Sequence, residues 1–499
     1  MTDTKKSTIG VLKRSFGMRE AVTITVGTVV GVGLFTVGAN TVGMMGAPVI
    51  FATLAALAVS VYPALLYAEM GAALPYAGGT YKYASLGLNR PMGMLAGWNF
   101  IISLIAVTSG ESFAFSFYLK TALRVAGVEL PVSDMVLACI VIAVFIVTNI
   151  LGVEMTGKLQ NGFMFFFWGV ALIWFVMMFP NIKPGYFAVI PDFADFSPGG
   201  FIASTALIWW CFAGFETCCA MGEEIKYPSI NIPRALFLSP FIVFAVNAIF
   251  QWFLIGIVPP EQLASIATAA APYADAMTAA GILGFPLLML AVGIAFGGDF
   301  STLNASIAVP PRYLFTMARD GVMPKIFAKV HPKYKTPYIA ILALGILSIL
   351  LNATDSIVYI ASLSLFADLF YYVIGIAASF GLRRKKPDLK RPYKAPFIAI
   401  GAPVSAAIYL VMMTQLEASA FWSGIIWCAL GLVIYFFCSK RYGAKSDAET
   451  EREITAEDSP TENERRAMDR EFKIWRNIVA VAVAAALALY ILPLIKTLS

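Results

Sequence analysis

The sequence predicts an all-α membrane protein, and three observations carry that prediction. Of 499 residues, 59% are hydrophobic and only 13% charged, whereas soluble domains carry about 25% charged residues. Apolar runs of about 20 residues recur along most of the chain, the length of helix that crosses a hydrocarbon core about 30 Å thick. Lysine and arginine concentrate in alternate connections, as they do in loops held on the cytoplasmic side. A bilayer accepts the surplus apolar side chains on the outside of a helix bundle, because each helix satisfies its own backbone polar groups.

Twelve spans are expected, at roughly Ala21–Met44, Pro48–Met70, Met92–Leu119, Met135–Leu151, Gly162–Phe179, Gly200–Met221, Ala235–Ile257, Ala279–Phe300, Thr336–Leu351, Ile357–Leu382, Ile398–Gln415 and Phe421–Cys438. The eighth continues less apolarly through Pro310 and Pro311 to about Met317. Residues 1–20 precede the bundle, which occupies 21–440. Residues 441–473 contain the run DAETEREITAEDSPTENERR, which lipid cannot hold. It reads as a solvated, partly helical linker. Residues 474–499 bring a last apolar run, Ile478–Ile495, expected as a thirteenth span; a helix lying in the interface or packed on the bundle is the alternative.

Orientation follows from the cations. Lys5, Lys6, Lys13, Arg14 and Arg19 precede span one. Arg319, Lys325, Lys329, Lys333 and Lys335 follow span eight, and Arg383 to Lys394 follow span ten. The opposite connections carry Asp192, Asp195, Glu261, Asp275 and Asp355. The N-terminus is therefore expected in the cytoplasm, with the chain integral to the plasma or inner membrane and a thirteenth span placing the C-terminus outside. No cleavable signal peptide is visible. The six cysteines all sit in apolar runs without metal-ligand spacing, and the one histidine, His331, lies in a basic loop. No metal, cofactor or nucleic acid is expected as a partner, and a zinc enzyme or histidine-based triad is disfavoured.

Two spans carry breaks. Span one reads T-V-V-G-V-G-L-F from Thr28 to Phe35, with two glycines one residue apart in mid-span. Glycine costs helix stability and lets backbone approach a ligand closely; a tight helix–helix contact is the other reading. Span six reads W-C-F-A-G-F-E from Trp210 to Glu216, a glycine followed by an intramembrane acid. Spans one and six are five apart, the separation of two inverted repeats (about 21–180 and 200–382) whose broken helices meet at a central site. Freed N–H groups suit a carboxylate and freed carbonyls an ammonium, so the pair reads as a receptor for a zwitterion or amine.

Five segments in order then resemble the amino acid/polyamine/organocation permeases: G-V-G-L-F from Gly31; A-E-M-G-A-A-L-P-Y-A-G-G-T-Y from Ala68; G-F-E from Gly214 with E-E-I-K-Y-P-S-I-N-I-P-R-A from Glu223; L-N-A from Leu303 with M-A-R-D-G-V-M-P-K-I-F-A-K-V-H-P-K-Y-K-T-P from Met317; and L-R-R-K-K-P-D-L-K-R-P-Y-K-A-P from Leu382. The resemblance implies a LeuT-like 5+5 inverted-repeat fold and alternating access. It implies that backbone around Gly31, Val32 and Gly33 receives a substrate carboxylate. Carbonyls near Thr28, Val29, Trp210 and Ala213 would receive the amino group, with Cys211, Ala213 and Gly214 shaping the pocket. W-C-F-A-G-F-E looks especially like the arginine/agmatine exchangers, which implies gating by Trp210 and coupling through Glu216; ordinary packing is the other reading of Trp210. Some proton-coupled members carry a lysine midway along span five. The position aligned with it is Trp168, while Lys158 lies at the cytoplasmic start of that span, so lysine-based coupling is not carried over.

Three further acids fall inside spans: Glu111, Asp299 and Asp368. Each costs at least about 2.5–3.5 kcal/mol at a helix centre. Asp299 is three residues before Thr302, on one helical face, and the pair is a candidate for coupling, with H+ as the ion. For Glu111 and Asp368 a structural role is favoured. Glu223 and Glu224 are expected to be solvated or paired across cytoplasmic helix ends. The expected function is secondary transport of amino acids or related small amines, by proton symport or exchange. A polyamine or other organic-cation antiporter is the alternative, and a transporter-like nutrient sensor a remote one. No catalytic residue is assigned.

Overall fold

The computed structural model describes residue 12 and residues 14–31, 33–191, 194–354, 357–444 and 459–498. Among these the chain is helical throughout. Backbone pairing of the β kind is confined to two isolated bridges, Phe16 with Ile225 and Ala77 with Met221. Eight helices are long and apolar enough to cross a membrane, and three shorter apolar helices, Asp134–Ile150, Tyr338–Thr354 and Ile398–Met413, lie among them.

In chain order the first elements are α1 (Met18–Gly27), α2 (Ala39–Met45), α3 (Val49–Ala73), α4 (Gly79–Gly87), α5 (Arg90–Val125), α6 (Asp134–Ile150) and α7 (Val153–Met178). The second half has α8 (Pro198–Trp210), α9 (Thr217–Ala220), α10 (Pro228–Ile257), α11 (Leu263–Ile266), α12 (Pro272–Ala279), α13 (Phe285–Gly293), α14 (Phe300–Ala308) and α15 (Pro310–Arg319). It ends with α16 (Tyr338–Leu351), α17 (Ile357–Lys385), α18 (Ile398–Met413), α19 (Ala418–Tyr442) and α20 (Glu462–Leu498). Starts are fixed by capping. Asn89 accepts from the Met92 N–H at 3.0 Å, with Pro91 in the first turn of α5. Ser197 accepts from the Gly200 N–H at 3.1 Å, with Pro198 opening α8. Both satisfy donors that a helix N-terminus leaves free.

α5 is the axis of the bundle. It is buried along nearly its whole length and packs on α4, α6, α13, α14 and α17. α10 packs on α1, α3 and α20. By contrast α7, α19 and α20 leave most of their apolar side chains on the outside, among them Leu172, Val176, Phe436 and Val481.

Several boundaries differ from the sequence expectation. The eighth span starts at Phe285 rather than Ala279, because Gly281 and Gly284 take φ of +70° and +72°, which terminate α12 and prevent a continuous helix. It then runs on to Arg319, restarting at Pro310. Helix α4, after the second span, was not expected. The last helix begins at Glu462 rather than near residue 474, so residues 462–473 of the charged stretch are helical. Residues 445–458 of that stretch lie outside the described residues. Trp168 is not at the centre: it packs edge-on against Trp475 of α20, at 5.7 Å between ring centroids. Residues of the same helix that reach the first span include Gln160, whose amide donates to the Thr23 carbonyl at 3.0 Å, and Asn161, which accepts from the Thr23 hydroxyl at 2.7 Å. Lys158 is exposed.

Candidate functional site

The first span stops at Gly27. Residues 28–31 form a turn, and a π-helical turn, Gly33–Gly38, leads into α2. The sixth span stops at Trp210, and residues 211–216 form turns before the single turn of α9. Gly214 has φ +102°, a conformation that L side chains rarely adopt, so the glycine is what permits this break. The two breaks touch. The Cys211 thiol donates to the Gly33 carbonyl at 2.9 Å, and the Thr28 and Thr217 hydroxyls lie 3.3 Å apart.

A cavity lies at this meeting point. Its walls are Thr28, Val29 and Gly33 from the first break, and Trp210, Ala213 and Gly214 from the sixth. The rest comes from α5 (Phe100, Ser103, Leu104, Val107 and Glu111) and from Asp368 of α17. At about 20 Å³ it admits only a water-sized guest, so a larger solute enters only when the bundle opens.

Six residues expected at the site therefore line one cavity. Cys211 is fully buried behind it, with its thiol committed to Gly33. Val32 lies outside the described residues. Glu216 is set back from the cavity: it accepts from the Tyr372 hydroxyl, which also accepts from the Gly214 N–H at 2.9 Å. Tyr372 thus ties the acid of span six to the glycine of its break.

Gly31 faces a second cluster. A Cβ built on it would meet Glu111 Oε1 at 2.2 Å and Thr302 Oγ1 at 2.4 Å, and its own N–H donates to the Val29 carbonyl at 3.1 Å. The Thr302 hydroxyl donates to the Gly27 carbonyl at 2.7 Å, where α1 ends. Asp299 closes a π-helical turn, Ile294–Asp299, in the eighth span; such turns recur at functional sites. Its fully buried carboxyl faces that of Glu111. Glu111 and Thr302 thus flank Gly31, and Asp299 lies against Glu111.

Sequence reasoning missed the polar wall made by α5 and α17. Asp368 accepts from Ser103 Oγ at 2.6 Å and from Ser364 Oγ at 3.4 Å. The Trp210 indole N–H donates to Ser364 at 3.0 Å. The one available signal was Ser364 four residues before Asp368 on one helical face.

Ion pairs close the end of the bundle where the lysine- and arginine-rich loops lie. Buried Arg312 grips buried Glu224 through two hydrogen bonds of 2.9 Å. Arg319 grips Glu223, which also accepts from the Ala77 N–H at 3.1 Å. Lys82 lies 2.6 Å from Asp320, and Glu69 takes Arg383 and Arg391. The Glu224 carbonyl receives the N–H groups of Ser15 and Phe16, so the segment before α1 is pinned to the same closure. Burial pushes the Glu223 carboxyl up, but the Arg319 guanidinium, its hydrogen bonds and the Ala77 N–H outweigh that and hold it below the usual glutamate value. The acids expected to be solvated or paired across helix ends are therefore paired. The quoted motifs around Ala77, Glu223, Arg319 and Arg383 meet at this closure rather than at the cavity.

Comparison with known proteins agrees with this architecture. Residues 16–438 match the family model described as amino acid permease. The chain is 27% identical over 452 residues to the branched-chain amino acid permease BcaP of Bacillus subtilis, covering 86% of this chain and 94% of that protein. It is 27% identical over 459 residues to the methylthioribose transporter of the same organism, with 86% and 94% covered. It is 27% identical over 434 residues to the human large neutral amino acids transporter small subunit 2, with 85% and 78% covered. The chain belongs to the amino acid permease family and is an integral membrane transporter, not an enzyme.

Proposed function

We propose that the protein is a secondary transporter that carries amino acids by alternating access, through proton symport or exchange. The observation that supports this best is the meeting of two broken helices at one cavity. On this reading twelve crossings form a 5+5 inverted-repeat core with two further helices, and α20 makes a thirteenth. The N-terminus is cytoplasmic, because the cation-rich connections share its side. Backbone at Gly31–Gly33 serves the substrate carboxylate, carbonyls at Thr28, Val29, Trp210 and Ala213 serve the ammonium, and Trp210 is the gate. Glu216, through Tyr372, relays the state of the sixth-span break. Asp299 and Thr302, with Glu111, form the coupling site: two facing buried carboxyls do not both ionise readily, so the pair is suited to hold and release one proton.

Purified protein in proteoliposomes tests this with a panel of amino acids, polyamines and methylthioribose, with and without a pH gradient. Uptake of an amino acid driven by inward-acid pH is the result expected of symport. Uptake that needs internal substrate and ignores the gradient establishes exchange and removes the coupling role of Asp299. Uptake of no amino acid defeats the proposal. Asp299→Asn is expected to abolish pH-driven accumulation while leaving downhill exchange.

A further inference from the structure

The cavity wall supplied by α5 and α17 carries two acids, Glu111 and Asp368. Asp368 is in the cavity wall, and its oxygens are held by the neutral hydroxyls of Ser103 and Ser364. Its hydrogen-bond partners are those two serines, and among the described residues no lysine or arginine pairs with it. The acids of the cytoplasmic closure each have a basic partner. An acid inside a span is costly, and a buried carboxylate held only by hydroxyls leaves the place of a cation unfilled. Here that place opens onto the cavity.

We propose that Asp368 receives the positively charged end of the substrate's side chain, which makes the preferred cargo an amino acid with a cationic side chain such as lysine or ornithine. This rests on the amino-acid reading above. The backbone of the two breaks takes the α-amino and α-carboxyl groups, which every amino acid shares, so discrimination falls to the side-chain wall. The Ser103 and Ser364 hydroxyls, from α5 and α17, fix the Asp368 carboxyl by donating to it, and being neutral they leave its charge unbalanced. Ser364 passes the arrangement on, since it also accepts the indole N–H of the gate Trp210. A cation arriving at Asp368 is therefore felt at Trp210 through one shared hydroxyl. A neutral isostere leaves the buried carboxyl without a cation, whereas a cationic side chain supplies one, so the site discriminates between them.

The test is proteoliposome uptake of radiolabelled lysine and of norleucine, nearly the same shape without the charge. Wild-type protein is expected to carry lysine at least about tenfold more efficiently than norleucine, a modest demand on a site that pairs a buried polar group. Asp368→Asn is expected to erase or invert that ratio, by loss of lysine transport with norleucine retained or gained. A thermal-shift measurement on the wild-type protein makes the test independent of how the variant folds: lysine raises the unfolding temperature and norleucine does not. Equal wild-type handling of the two amino acids, or a lysine preference unchanged in Asp368→Asn, overturns the assignment while leaving the amino-acid reading intact. Transport of neither, nor of any other amino acid, defeats that reading and this inference with it.

Discussion

Gly31 shows how little a single residue need contribute in order to be indispensable. It has no side chain, and the space a Cβ would occupy holds a carboxyl oxygen of Glu111 and the hydroxyl of Thr302. The glutamate is long enough to yield. Thr302 is β-branched and stiff at χ1, and it moves only by giving up its bond to the Gly27 carbonyl. Gly31→Ala is therefore expected to cost about 1–3 kcal/mol in overpacking, spent on the groups that hold the first break to the eighth span. Transport should fall at least about tenfold, the rate equivalent of about 1.4 kcal/mol. Gly162→Ala, on the open face of α7 with nothing near its Cβ, should transport like the wild type. Initial-rate uptake at matched protein levels checks both. Gly31 and Gly33 were legible in the sequence because a pair of glycines in mid-span is costly wherever it occurs. Asp368 and Ser103 were not legible as cavity residues. α5 and α17 are buried on almost every face, so no polar–apolar period says which way a given residue turns, and an acid there reads equally as structural.

At the scale of elements, the helices followed from hydropathy, but what ties their ends together did not. Each loop motif could be recognised, and Glu223, Glu224, Arg319 and Arg383 could be seen as charged. That Glu224 meets Arg312, 88 positions away in the chain, is a fact of tertiary packing alone. Helix α4 and the late start of α13 escaped for a local reason: short segments bounded by glycines at positive φ carry no 20-residue hydropathy signal. The Arg312–Glu224 pair is almost wholly buried. Removing one partner strands the other charge, and such losses run to about 3–5 kcal/mol. Glu224→Ala is thus expected to be strongly destabilising, and Arg312→Ala likewise, whereas Glu261→Ala, in an exposed connection, should be nearly neutral; thermal unfolding in detergent measures all three. The Glu223–Arg319 pair gives a pH dependence of definite sign. Glu223 has a folded-state value below its unfolded one, so its contribution is complete above about pH 4.3. It is lost as pH falls through the lowered folded value. Wild-type unfolding temperature should therefore drop on acidification through this range, and Glu223→Gln, which has no such proton to gain, should start less stable and drop less.

Among the described residues, the molecule consists of a matched transporter body and one helix beyond it. The family match ends at residue 438, and α20 begins at Glu462. This helix is no loose appendage. Near its start Asp469 pairs with Arg234, and Glu464 accepts from the Tyr227 hydroxyl. Farther along, the Trp252 indole N–H donates to the Leu489 carbonyl at 2.9 Å, and the Tyr490 hydroxyl donates to the Ala248 carbonyl at 3.2 Å. The bracing contacts are therefore spread along α10, from Tyr227 just before its first turn to Trp252 near its end. Hydrogen bonds between helices in lipid contribute about 0.6–2 kcal/mol each, so the helix stabilises α10 measurably. Yet none of its residues lines the cavity, and the helix breaks, the Glu111–Asp299–Thr302 cluster and the ion pairs around Glu223 and Glu224 involve none of its residues. Deleting residues 459–499 is accordingly expected to lower the unfolding temperature in detergent while leaving the substrate preference and the pH response of the remaining active protein unchanged. The same helix decides topology. An epitope after Ser499 in right-side-out cells should be reached by an impermeant antibody if α20 crosses the bilayer, and an epitope before Met1 should not. Accessibility of neither would return α20 to the interface, where its charged first turns would lie along the cytoplasmic surface.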